Sequence, residues 1–138
     1  MKSKLLLLSA AMACTMATSA FAMTKEEHSA EKTRISADYK AGKQKCDALK
    51  DNAKDICMSE VKGAEKVAKA ELESTYKPSA RNTQKVSLVK ADATYDMGKE
   101  KCDDLSGDPK NACVKEAKAV HAKAKSDAKT AMATAPKS

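Results

Sequence analysis

Residues 39–57 and 95–113 repeat one pattern: a tyrosine, a glycine three residues on, a cysteine four further, and a second cysteine eleven beyond that. Sliding the sequence by 56 residues aligns positions 34–73 with 90–129 without a gap, and 14 of those 40 positions are identical. Self-similarity at such a period marks one supersecondary unit present twice. Any fold proposed for the chain must therefore suit both copies and both C-x10-C pairs.

The hydrophobic spacing makes the unit a helix, a tight turn and a returning helix. In the first copy Ile35, Tyr39, Gly42, Cys46 and Leu49 recur at steps of four and three. The second copy continues the same steps through Leu88, Ala91, Tyr95, Gly98, Cys102 and Leu105. That is a heptad-like stripe on one helix face. The returning arms carry Cys57, Val61, Ala64, Ala68 and Leu72, then Cys113, Ala117, Val120, Ala124 and Ala128. Such Ala-rich stripes suit close helix packing.

The punctuation agrees. Ser106-Gly107-Asp108-Pro109 is a strong turn, with Asp108 suited to an N-cap and Pro109 to the first helical position, where its missing N–H is not needed. Asn52 aligns with Asp108 and is also a favoured N-cap. Thr24 and Glu27 form a capping box. Pro78 breaks the helix between the copies, since the residue before proline avoids the α region. These signals predict an all-α chain of two tandem antiparallel hairpins, with helices over about 24–50, 53–75, 80–105 and 109–133. The units are hairpin 1 at 23–76, a linker at 77–80, hairpin 2 at 81–134 and a fraying tail at 135–138. There is no Trp, and the aromatics beyond residue 23 are Tyr39, Tyr76 and Tyr95. So thin an apolar content predicts narrow seams within each hairpin and loose association between the two.

The first 22 residues read as a Sec-type signal. A basic start is followed by an apolar run over 5–13, too short to span a bilayer, and by Ala20-Phe21-Ala22. Cleavage is expected between Ala22 and Met23, and the style of the signal places the mature chain in the periplasm of a Gram-negative bacterium. A competing reading takes Cys14 as a lipoprotein cysteine, but the leucine expected three residues before it is Ala11. Cleavage leaves Cys46, Cys57, Cys102 and Cys113, an even set that reads as two disulfides in an exported protein. A hairpin turning near 51–52 brings Cys46 opposite Cys57 and, by the repeat, Cys102 opposite Cys113. The alternative sets each pair on one face of a continuous helix, eleven residues making close to three turns. The S-G-D-P turn argues against that alternative, and Asp51-Asn52 argues the same way less strongly. One turn from the cysteines, Gly42 and Gly98 then lie opposite Val61 and Ala117, and their recurrence reads as a need for close packing. Tyr39 and Tyr95 are expected to fill the widening seam against Ala64 and Val120.

Charge and motif exclude several functions. Of 26 basic residues the signal removes Lys2 and Lys4, leaving 24 against 19 acidic ones, a net +5. The signs are interspersed, as on a solvated helical surface, and export argues against nucleic acid. Such a surface suits weak contact with an anionic envelope. His28 falls opposite Thr75, His121 stands alone on its helix, and Met23, Met58, Met97 and Met132 are scattered, so no metal or other cofactor is expected. Asp47, Asp103, Asp104, Glu60 and Glu116 sit among lysines at helical spacing and read as ion pairs. Thiol redox work calls for an activated, accessible thiolate, often in C-x-x-C, a spacing neither pair has.

"DNAKDIC" followed by "EVKGAEKVAKAELE" resembles small exported proteins of Gram-negative bacteria that repeat C-x-x-L-x-x-x-A-K-x-x-C before a Lys/Ala/Glu helix. The matching positions are Cys46, Leu49, Ala53, Lys54 and Cys57, and the second copy has Pro109 where the first has Ala53. Some of these proteins are labelled TolA-like or cell-envelope biogenesis proteins. The resemblance implies an envelope protein, and the shared Lys/Ala/Glu composition transfers little beyond that. The reading as a whole is a non-enzymatic periplasmic repeat protein with an envelope-associated binding, structural or stress role, its partner an unidentified protein or envelope component. A metal-handling or thiol-redox protein is the alternative, and the sequence leaves the oligomeric state open.

Overall fold

The computed structural model describes residues 22–134. The signal segment up to residue 21, Cys14 within it and the tail 135–138 lie outside the described residues. Four helices follow in order: α1 (Lys25–Asp47), α2 (Asp51–Tyr76), α3 (Ala80–Cys102) and α4 (Gly107–Thr134). No strand occurs among the described residues. Disulfides Cys46–Cys57 and Cys102–Cys113 staple α1 to α2 and α3 to α4. No helix of the described residues is long and apolar enough to cross a membrane.

Local chemistry accounts for the starts. Thr24 caps α1: its hydroxyl accepts from the Glu27 N–H at 3.1 Å, and the Glu27 carboxylate accepts from the Thr24 N–H at 2.8 Å. Glu26 and Glu27 in the first turn and Lys45 in the last complement the helix dipole. Ser79 caps α3 by accepting from the Asn82 N–H at 3.1 Å. The Asn82 amide reaches back to the Lys77 carbonyl at 2.7 Å, which closes the connection over Pro78 into a compact turn.

The two stapled turns are copies of each other and differ from the expectation in three ways. α1 ends at Asp47 and α3 at Cys102, with Leu49 and Leu105 donating to the carbonyls of Cys46 and Cys102 at 3.0 Å. The first cysteine of each pair thus sits at a helix end, and the two leucines, expected on the seam, fall in the turns at 42 % and 43 % exposure. Asp51 and Gly107, equivalent under the 56-residue shift, both have positive φ, 52° and 64°. Glycine adopts that conformation freely, and aspartate is among the residues that tolerate it. Finally, Asn52 is not the N-cap of α2. Lys50 holds that position with no side-chain bond, because the left-handed Asp51 already turns the chain into the helix.

Each helix packs only on its neighbours in sequence, so the four form an open row rather than a closed bundle. The widest interface is α2 on α3, between the two repeats. The expected loose joining of the hairpins is therefore overturned. The reason is a second stripe on α2, on the side away from α1. Ile56, Ser59, Gly63, Val67 and Ala70 follow one another at steps of three and four and are half-buried or buried. On α3, which packs against α2, Val86, Val89, Ala93 and Met97 are covered as well. At the centre, a Cβ on Gly63 would lie 2.9 Å from the Ala93 Cβ.

The repeat shows how the row stops. Shifted by 56 residues, the α2 stripe becomes Ala112, Lys115, Ala119, Lys123 and Ser126 of α4, all exposed. The α3 stripe becomes Ala30, Thr33, Ala37 and Ala41 of α1, also all exposed. Large apolar residues of the internal interface are replaced at both outer edges by Ala, Thr, Ser or Lys. Lys115 and Lys123 make the α4 edge charged, and the small side chains of the α1 edge bury little area, so neither edge extends the row as the internal interface does.

Candidate functional site

The seams begin at the staples. The Cα atoms are 5.5 Å apart in Cys46–Cys57 and 5.7 Å apart in Cys102–Cys113, within the span a disulfide requires. Cys46 and Cys102 are 0 % and 1 % exposed, the most buried side chains of the described residues. All four thiols are consumed, so no thiolate is available in this state for metal binding or exchange.

One turn further on, Gly42 faces Val61 and Gly98 faces Ala117. The two positions are not equivalent in crowding. A Cβ on Gly42 would come within 2.9 Å of a Val61 methyl, whereas one on Gly98 would meet the Ala117 Cβ at 3.7 Å, an ordinary contact. The need for glycine is therefore real in the first hairpin and absent in the second.

Sequence reasoning missed the polar part of the seams. His121 is not alone. Its ring stacks on Tyr95 with centroids 4.6 Å apart, and its Nε2 lies 2.6 Å from Asp92 Oδ1. Lys125 stands 3.7 Å from the same carboxylate oxygen. The first hairpin contains the same set on exchanged helices: His28 stacks on Tyr76 at 4.3 Å, and its Nε2 lies 2.8 Å from Glu73 Oε1. In both, an acid three residues before a tyrosine presents one helical face, and a histidine from the facing helix lies over the ring and bonds the acid. The 56-residue shift cannot reveal this, because it carries His28 onto Gln84 and His121 onto Glu65. The available signal was acid-x-x-Tyr, in Glu73/Tyr76 and Asp92/Tyr95. Tyr39 has no such partner and lines the first seam with Ala64 and Ala68.

Beside these contacts the α3–α4 seam opens into a groove of about 880 Å³. Its lining runs from the Cys102–Cys113 bridge through Gly98, Ala117, Tyr95 and Val120 to Ala124 and Ala128. The matching groove between α1 and α2 measures only about 230 Å³. Where the second hairpin has Ala91 and Ala128, the first has the larger Ile35 and Leu72. No group of three or more His, Cys, Asp or Glu that could hold a metal occurs among the described residues.

The geometry defines a class, a disulfide-stapled helical-hairpin repeat protein arranged as an open row. Its two disulfides are those of an oxidising, extracytoplasmic environment. Compared with family models, curated proteins and solved structures, the chain matches none.

Proposed function

We propose that this is a non-enzymatic protein of the bacterial periplasm with an envelope-associated binding or structural role. The observation that carries the reading is the α3–α4 groove, an accessible surface with a mainly apolar floor and a charged rim. The polar groups along the seams are engaged with each other: His121 with Asp92, and His28 with Glu73. Side chains paired in that way stabilise the seam, which supports reading the groove beside them as a binding surface. The staples hold the hairpins rigid, which lowers the ordering cost of binding. The basic, interspersed outer charge suits a protein working beside an anionic envelope.

Crosslinking in intact cells followed by purification of the full chain tests the role. Repeated recovery of one envelope component supports it. A sub-micromolar copper or zinc site in the oxidised protein, or a low-pKa thiol in the reduced one, would replace it with the metal-handling or redox alternative.

A further inference from the structure

We propose that the open face of the α3–α4 seam is covered by a second copy of this chain, in a two-fold dimer that sets α3 of each copy against α4 of the other. The inference rests on reading that groove as a binding surface. Val120, on its floor, is 54 % exposed although it lies on the seam. The outer edge of α4 carries Lys115 and Lys123, and that of α1 only the small Ala30, Thr33, Ala37 and Ala41, so the edges offer charge or little apolar area, whereas the α3–α4 face exposes a large apolar side chain.

The charges on the rim identify the occupant. α3 contributes Lys90 and Lys101, and α4 contributes Glu116 and Asp127. The register of the seam follows from Cys102 opposite Cys113 and Gly98 opposite Ala117. It places Lys101 within a turn of the level of Glu116, and Lys90 within a turn of the level of Asp127. Two face-to-face arrangements have the self-complementarity that a two-fold demands. With the axis across the helices, α3 lies on α3, so lysines meet lysines and acids meet acids. With the axis along the helices, α3 lies antiparallel on the partner's α4, at matched height. Lys101 then stands over Glu116 and Lys90 over Asp127, each pair occurring twice, and the four helices close a bundle around the two grooves. Opposite charge favours that arrangement and like charge opposes the other.

Lys101 and Glu116 have no ion-pair partner among the described residues, while Lys90 and Asp127 hold only exposed pairs with Glu71 and Lys123. Exposed pairs are weak and exchange readily. The first hairpin lacks the sorting: its α1 rim mixes Arg34 with Asp38, already bonded to each other, and its α2 rim has Glu65, paired with Lys69. A face two helices wide and about 35 Å long covers roughly 600–700 Å² per copy, the low end for a specific interface. A weak dimer, in the micromolar range, is the expectation for so small a face.

Sedimentation of the oxidised chain lacking the signal, across the micromolar range, tests this, with circular dichroism reporting helicity of each variant. The native protein is expected to dimerise, and added salt to weaken it. Val120→Glu, Lys101→Glu and Glu116→Lys should each raise Kd by about fivefold or more, since every change acts twice in the dimer. The double variant Lys101→Glu/Glu116→Lys should return Kd to near the native value. A monomer at every concentration overturns the proposal, as does a dimer insensitive to the charge reversals or tightened by one of them. None of these outcomes touches the envelope role, which stands or falls on the cellular crosslinking.

Discussion

Gly63 of α2 lies so close to Ala93 of α3 that a Cβ on the glycine would come within 2.9 Å of the alanine Cβ. The alanine has no flexible end to move aside, so the two helices would have to separate. Gly63→Ala gains about 1 kcal/mol of helix propensity and loses about 1–3 kcal/mol to overpacking. A net loss is expected in urea unfolding. Gly98→Ala gains the same propensity where the nearest atom, Ala117 Cβ, is 3.7 Å away, and should be stabilising. Reversed signs would disprove the packing account.

Asn52 offers a sharper discrimination. Its amide donates to the Glu100 carbonyl and to Asp104 Oδ1, both at 2.7 Å, and so ties the start of α2 to the end of α3. An N-cap would act as an acceptor, and aspartate would replace it well. A donor cannot be replaced that way. Asn52→Ala should cost about 1 kcal/mol, and Asn52→Asp should cost at least as much, since it sets a carboxylate beside Asp104. Full rescue by aspartate would restore the N-cap reading.

The staples should carry much of the stability of so thin a core. The chain-entropy model gives about 3 kcal/mol for a loop of this length. Cys102→Ala/Cys113→Ala is expected to lower the urea midpoint strongly, and Cys46→Ala/Cys57→Ala by a similar amount, because the loops are equal in length. Loss of cooperative unfolding in one half alone would show that the α2–α3 interface does not couple the repeats.

His121 and Asp92 should be energetically coupled. The histidine is half-buried on the Tyr95 ring and bonded to the carboxylate at 2.6 Å. The Asp92 side chain is 49 % exposed, so the bond is worth less than a fully buried one. A double-mutant cycle with His121→Phe and Asp92→Asn is expected to give about 0.5–1 kcal/mol. The phenylalanine retains the stack and isolates the bond. A coupling of zero would leave the stack as the only contribution of His121.

These sites show what a sequence of this kind discloses. Four helices, both turns and the cysteine register follow from periodicity and punctuation, because stripes at steps of three and four, Gly-Asp-Pro and C-x10-C each have a local physical meaning. The α2–α3 interface is less legible. Its stripe of Ile56, Gly63, Val67 and Ala70 shares a helix with the stronger Cys57 stripe, and nothing local says that both are covered. The His–acid–Tyr sets depend on residues from facing helices and break the repeat, so internal alignment hides them. Gly98 shows the converse: it repeats Gly42, yet the crowding is present at Val61 and absent at Ala117.

Acid should act first on the start of α1. The Thr24 N–H, and after it the Thr24 hydroxyl, hold the Glu27 carboxyl below its ordinary 4.5. The Arg34 guanidinium does the same to Glu31 one turn along. A carboxylate whose pKa is depressed on folding contributes stability that is fully present above its unfolded value and is lost as pH falls through the folded one. The first turns of α1 should therefore hold from neutral pH down to the ordinary carboxylate range and fray below it. The stapled end of the helix, which depends on no such bond, should outlast them. Residue-resolved NMR titration should show Glu27 and its neighbours losing helical shifts together. Thr24→Ala removes the hydroxyl and keeps the larger backbone contribution, so it should move the Glu27 midpoint only part of the way up toward 4.5 and bring fraying to slightly higher pH. An unchanged Glu27 midpoint in that variant would mean that the Thr24 hydroxyl contributes nothing to it.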